Sequence, residues 1–336
     1  MYVTFVVMGM RLAVVSPVYS VRRAQQVAVA AERAGYWGVG VPDTAPRLYQ
    51  GTYPIVTACL LSTSRVHVGP FVTNPVTRHW SIHTSNARAL TELGPGRFFL
   101  GVSTGDGAVH SVGLKPATWS EVERFVELFK SGTSDDVPVF VATSGPRGAN
   151  VAGRVASDAV FSQGFDRTAL RTAISRASQA RSEEGIQAPL RKWTNVQVCV
   201  VPRGADLRSV RAYLRGRAYG HARYRFDLTF DEKNVPEEWQ PVLRERFAHY
   251  DYTFHGSSAS DNPNSRLFED RPDIEDYLID RSFVVGSLDD CAERLAKLAL
   301  DVGLDGFWLG FQSPTRELDP LAQLLPIASA LQELTS

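Results

Sequence analysis

Strand-like and helix-like stretches alternate in this chain from near its start almost to its end, and this alternation limits the fold more than any other feature. Short runs rich in Val, Phe and Gly at residues 12–15, 37–41, 66–72, 98–102, 137–141, 159–162, 196–201 and 306–309 read as strands. Between them lie segments such as VRRAQQVAVAAERAGY, YPIVTACLLSTS, SEVERFVELFKSG and TALRTAISRASQARSEEG, whose apolar residues recur every three or four positions, as one face of a helix requires. Eightfold alternation predicts an α/β fold, the (β/α)8 TIM barrel. The other arrangement of such units is a doubly wound open sheet. It is disfavoured because strand 1 runs into SPVYS instead of a glycine fingerprint.

One region breaks the rhythm. Residues 202–281 are far longer than an ordinary crossover and include the polar tract HGSSASDNPNSRLFEDRP, which predicts an insertion after strand 7 within one domain spanning residues 1–336. Residues 1–10 read as a short extension into strand 1, with no basic n-region and apolar runs too short to cross a bilayer. The 36 basic and 36 acidic side chains cancel, so no global field draws in nucleic acid or an anionic membrane. Cys59, Cys199 and Cys291 are far apart with no metal-type spacing, which fits buried thiols in a reducing cytoplasm.

Ligands of parallel α/β folds sit beyond the carboxyl ends of the strands, so the residues following each strand are the first site candidates. Strand 3 ends in TNP, where Thr73 and Asn74 offer donors and acceptors to a planar ring; a plain turn with local side-chain bonds is the other reading. In GVSTGDG after strand 4, Gly105 and Gly107 allow close approach of the main chain, and Thr104 and Asp106 can bond a polar edge or cap a tight turn. After strand 5, Thr143, Ser144, Gly145 and Arg147 precede a helix start, an arrangement suited to a phosphate or to helix capping alone. The GPGRFFLG stretch precedes its strand and is no dinucleotide fingerprint. His79 and His83 are spaced i, i+4 but lack the glutamate of a metalloprotease, and no metal site is expected. HYDYTFHG places His255 among aromatics, either as a substrate-facing acid or base or as an ordinary helix end.

These motifs, in this order, carry a resemblance. AERAGYWGVGVPD, YPIVTACLLSTSRVHVGPFVTNPVTRH, GRFFLGVSTGDGAV, VPVFVATSGPRG, YDYTFHG and VVGSLDDCAERLAKLALDVGLD together resemble the bacterial luciferase-like superfamily. Within it, the likeness is to the methylenetetrahydromethanopterin reductase-like, coenzyme F-420-dependent oxidoreductases, and it covers nearly the whole chain. The resemblance implies a (β/α)8 barrel with an insertion after strand 7, a deazaflavin or flavin at the strands' carboxyl ends, no bound metal, and a dimer. Carried over by motif, Phe71, Val72, Thr73 and Asn74 would back the tricyclic ring, with a nonprolyl cis peptide between Phe71 and Val72. Thr104, Gly105 and Asp106 would flank the cofactor, and Thr143, Ser144, Gly145, Pro146 and Arg147 would hold its phosphate. Three positions depart from the pattern: Phe71 and His83 stand where relatives usually carry small residues, and Ser16-Pro17 where such reductases often carry a carboxylate.

The expectation is therefore a cytoplasmic oxidoreductase that transfers a hydride between coenzyme F-420 and an unsaturated or imine-like small molecule or modified peptide. Asp43, Asp106, His79 and His255 are the candidates for proton delivery. An FMN-dependent monooxygenase of the same fold is the enzymatic alternative. A flavin-binding or accessory barrel without catalysis is the alternative of another class.

Overall fold

The computed structural model describes residues 9–16, 19–44, 50–134, 136–226, 229–254, 262–313 and 320–335. Nine parallel strands run through it: β1 (Arg11–Val15), β2 (Gly38–Val41), β3 (His67–Pro70), β4 (Leu100–Val102), β5 (Val139–Thr143), β6 (Asp158–Phe161), β7 (Arg191–Val200), β8 (Phe283–Gly286) and β9 (Gly306–Phe311). Eight of them follow the order β3-β2-β1-β9-β7-β6-β5-β4. The ring closes through two parallel bridges, Val68 with Phe98 and Thr73 with Val102. Between these bridges lies the one cis peptide among the described residues, Phe71–Val72, at the position the resemblance implies. The fold is the expected (β/α)8 TIM barrel.

Gly69 makes this closure possible, because a Cβ there would sit 2.0 Å from the carbonyl oxygen of Phe99. A real side chain would force β3 away from β4. The same logic holds inside the barrel, where a Cβ on Gly40 would meet the Phe71 Cβ at 2.4 Å. The space left free is filled by Phe71, Phe99, Phe140, Val160, Trp193 and Trp308. Phe71 lies face to face with Trp308, ring centroids 3.7 Å apart, so the large side chain at position 71 turns into the barrel and forms the upper layer of its interior. At the other end, Asp158 is fully buried, paired with Arg191 at 2.7 Å and accepting from Trp193 Nε1 at 2.8 Å.

Outside the strands, the helices bury one apolar stripe each. In Leu288–Val302, Ser287 and Asp290 form a capping box, Cys291, Leu295, Leu298 and Ala299 face the barrel, and Gly303 ends the helix in the left-handed region. All three cysteines are buried and free.

Two elements differ from the sequence reading. β7 begins at Arg191 instead of residue 196, and β8 was not expected. One edge of β7 pairs with β6 over Arg191–Thr194 and then with β8 over Gln197–Val200; the other edge pairs with β9 over Trp193–Val198. β8 thus takes over the place of β6 above the rim. The chain between β7 and β8 carries the helices Leu207–Phe226, Gln240–Phe247 and Pro272–Ser282, which enclose their own apolar cluster around Tyr219, Leu243, Phe268 and Leu278. Among the described residues no helix is long and apolar enough to cross a membrane.

Candidate active site

The segments following β2, β3, β4 and β5 converge at one end of the barrel, above the Phe71–Trp308 layer. Asp43, just past β2, is the hub of the first two. Its carboxylate accepts from Thr73 Oγ1 at 2.6 Å, from Thr52 Oγ1 at 3.0 Å and from the Arg78 guanidinium. Both oxygens are thereby engaged, and the carboxylate holds the Thr73 hydroxyl in place. Thr73 is fully buried, its amide donating to Gly101 O at 2.8 Å while its carbonyl accepts from Ser103 N at 3.0 Å.

Asn74 is buried and turned by its own backbone: Oδ1 accepts from Val76 N at 3.0 Å and Thr77 N at 2.9 Å. Its Nδ2, also buried, has no partner. Gly105 reaches within van der Waals range of it, since a Cβ at 105 (φ +82°) would meet the Asn74 Cβ at 2.6 Å. Next along the chain, Asp106 accepts from Tyr252 Oη at 2.9 Å through Oδ1 and lies 3.7 Å from His110 Nε2. Among the described residues Asp106 Oδ2 is buried without a partner. Tyr252 comes from the insertion and its ring lies 4.6 Å from that of His110, centroid to centroid. Burial, and then the Asp106 charge, push the Tyr252 hydroxyl up from its ordinary pKa, so it stays protonated and donates to the carboxylate.

A third unsatisfied atom comes from β7. Trp193, Asn195 and Gln197 alternate along one face of this strand, and Asn195 donates to Tyr224 Oη at 3.1 Å while its Oδ1 is buried and unpartnered. Trp308 Nε1 is likewise buried without an acceptor. Buried polar atoms are rarely left unpaired, so donors and acceptors gathered over an apolar floor fit a planar polar ring that would satisfy them.

After β5, Thr143 Oγ1 bonds Gly145 at both its amide (3.3 Å) and its carbonyl (3.1 Å), shaping the turn into the helix Pro146–Val155. Gly145 caps that helix without a side chain and Pro146 carries no N–H, so the donors left at the helix start are the amides of Arg147 and Gly148. Ser144 is held from both sides, its Oγ donating to Tyr224 O at 3.4 Å and its carbonyl accepting from Gln163 Nε2 at 2.9 Å. Arg147 is exposed.

His79 is exposed at the start of the helix Trp80–Leu93, with Nδ1 bonded to Ser81 Oγ at 2.8 Å. His83 is buried, bonded to Tyr53 Oη at 2.7 Å, so the two histidines do not act as a pair. His255 lies outside the described residues. Ser16, closing β1, is buried, and its amide donates to Gly40 O at 2.8 Å; Pro17 lies outside the described residues. Among the described residues no group of three or more His, Cys, Asp or Glu side chains is arranged for a metal. Asn195, His110 and Tyr252 were missed in sequence. The alternation Trp193-Asn195-Gln197 would have exposed the first, had β7 been started at Arg191.

Comparison with known proteins gives a consistent picture. The model of the luciferase-like monooxygenase family matches residues 2–131 and 116–306. A 5,10-methylenetetrahydromethanopterin reductase of Methanolobus tindarius is 27% identical over 155 residues, 39% of this chain. That match spans 47% of the reductase, about half its length. Among solved structures, the coenzyme F-420-dependent tetrahydromethanopterin reductase of Methanopyrus kandleri superposes with a TM-score of 0.73 at 13% identity, covering 98% of this chain and 99% of that one. An F-420-dependent secondary alcohol dehydrogenase in complex with an F-420–acetone adduct gives 0.71 at 15% identity, covering 96% and 99%. At these identities the superpositions establish a shared fold.

Proposed function

Because the chain belongs to the luciferase-like monooxygenase family, we propose that it is an oxidoreductase that uses reduced coenzyme F-420 to reduce an unsaturated or imine-like carbon of a small organic molecule. The observation that carries this reading is the set of unsatisfied atoms Asn74 Nδ2, Asp106 Oδ2 and Asn195 Oδ1 at the barrel mouth. The preference for the deazaflavin over FMN rests on the resemblance of TNPVTRH and STGDG to the F-420-dependent branch.

Phe71, Val72, Thr73 and Asn74 would back the ring, Thr104, Gly105 and Asp106 would flank it, and the turn from Thr143 to Arg147 would hold the phosphate. When bound, the reduced deazaflavin supplies the hydride. The protein's part is to fix donor and acceptor and to move a proton. Asp43 contributes by fixing Thr73, which in turn orders the β3–β4 junction. Proton delivery falls to Asp106, whose Oδ2 is the unengaged carboxylate oxygen, while the partly exposed His110 lies 3.7 Å from its Oδ1. Tyr252 closes over the pair and keeps Oδ1 occupied, so that Oδ2 is the oxygen left to exchange a proton.

Equilibrium titration with F-420 and FMN in parallel, followed by anaerobic turnover of reduced F-420 with a panel of imines and enones, tests the reading. Selective F-420 binding and anaerobic turnover are expected, with Asp106→Asn reducing turnover while leaving F-420 binding in place. Preference for FMN with substrate-dependent oxygen consumption would replace it by a monooxygenase. Tight binding with no turnover of any substrate would replace it by a non-catalytic barrel.

A further inference from the structure

Three cations are buried together where the insertion meets the ends of β5 and β6. Arg225, Lys233 and Arg281 are only 1%, 3% and 4% exposed. Among the described residues the carboxylate paired with them is Asp166, which accepts from Arg281 Nη1 at 3.2 Å and from Asn234 Nδ2 at 2.9 Å and also caps a helix through Ala169 N. Arg225 donates to Ser282 Oγ at 2.6 Å through Nη1, but its Nε and Nη2 are buried with no acceptor. Among the described residues Lys233 makes one hydrogen bond, to the Arg225 carbonyl, and has no ion pair, Asp231 acting on its ammonium only at longer range. A buried surplus of positive charge is costly unless an anion offsets it.

The ammonium also points somewhere definite. Built at Gly145, a Cβ would lie 3.7 Å from Lys233 Cε and 3.9 Å from Nζ, which sets the lysine against the open start of the helix Pro146–Val155. The loop carrying it is held in an unusual shape, with Glu232 (φ 60°) and Asn234 (φ 50°) on either side in the left-handed region. Arg281 fastens this loop by donating to the Lys233 carbonyl.

We infer that Lys233, supported from behind by Arg225, is the cationic half of a phosphoryl-binding site whose other half is the backbone amides of Arg147 and Gly148. On the function proposed above, the phosphoryl group is the cofactor's. The insertion then reads the phosphate as well as covering the mouth. A phosphorylated substrate offers the same chemistry, and the experiment separates the two sources. A lysine adds charge attraction to the neutral N–H donors of the helix start, so its loss is expected to weaken phosphoryl binding by about tenfold or more.

The test compares wild type, Lys233→Met and Lys233→Arg by calorimetric titration with F-420, FMN, riboflavin and the deazaflavin core lacking its phosphate. A parallel series measures thermal stabilisation by inorganic phosphate against chloride at equal ionic strength. The expected result is a loss confined to the phosphorylated ligands in Lys233→Met and restored in Lys233→Arg, with phosphate stabilising the wild type but not Lys233→Met. If cofactor affinity is untouched while the phosphate effect disappears in Lys233→Met, the site stands and its phosphoryl group belongs to a substrate. If wild type binds none of the ring compounds, the proposed function fails, and the phosphate series alone decides the inference. Equal losses for phosphorylated and phosphate-free ligands, or identical phosphate stabilisation of wild type and Lys233→Met, would overturn it.

Discussion

His83 gives the chain a measurable weakness toward acid. Its ring is fully buried between the helices Thr52–Leu61 and Trp80–Leu93, bonded to Tyr53 Oη at 2.7 Å and facing the edge of Phe125, while Nε2 has no partner. Burial, with a smaller push from Arg78, lowers its pKa from 6.5 to about 4. An unfolded chain takes up the proton as the pH drops through about 6.5, whereas the folded chain refuses it until about 4. Across that window the unfolded state binds more protons, so stability falls as the pH falls. The contribution is complete above the higher value and gone below the lower one. Its size is about 3 kcal/mol, accruing at no more than about 1.4 kcal/mol per pH unit. Urea unfolding of wild type and His83→Asn at pH 7, 6 and 5 isolates it, because Asn keeps an acceptor near Tyr53 but cannot titrate. The difference between the two proteins should shrink or change sign toward acid, by roughly 2 kcal/mol from pH 7 to 5. Parallel pH dependences for the two would show that His83 is not held neutral by burial.

Two further substitutions probe the barrel and its mouth. Gly69→Ala places a methyl 2.0 Å from the Phe99 carbonyl oxygen and should cost at least about 2 kcal/mol, read as a lowered melting temperature; an unchanged melt would mean that β3 and β4 part without strain. Asp43→Asn removes the charge that engages Arg78 and Thr73 and should destabilise by about 1–3 kcal/mol in urea, whatever its effect on turnover; a loss under about 0.5 kcal/mol would dismiss the hub described here.

The barrel was legible because burial on both faces writes a parallel strand as a plain apolar run, as in Val139–Phe140–Val141 and Phe307–Trp308–Leu309. β8 escaped because Phe283 follows the helix Pro272–Ser282 without any turn signal, and four residues carry no period of their own. The first half of β7 escaped because Arg191 and Lys192 look like loop, although Arg191 is there to neutralise the buried Asp158. Strand-end candidates such as Thr73, Asn74 and Asp106 converge because the parallel sheet brings all strand ends to one rim. Lys233 was out of reach for a related reason: nothing local marks which polar residue of a long insertion folds back onto that rim, and even HYDYTFHG pointed to His255 while its Tyr252 is the one that meets Asp106. Phe71 shows the reverse case. It stands where relatives usually carry small residues, and the alternation of strand faces turns its ring downward against Trp308.

β7 outgrows the barrel and takes β8 as a neighbour above the rim, and this gives the architecture a modular character. The excursion leaves after Val200 and re-enters at Phe283, which pairs with Gln197. Its two ends are thus fixed roughly 10 Å apart by strand spacing and rise, regardless of what lies between them. A segment of different length or composition can be exchanged at these points without altering barrel closure, because only the β7–β8 pairing has to be kept. Substrate preference can then diversify by replacement of one cassette, provided that the replacement keeps the contacts Tyr252 and Lys233 make with the rim.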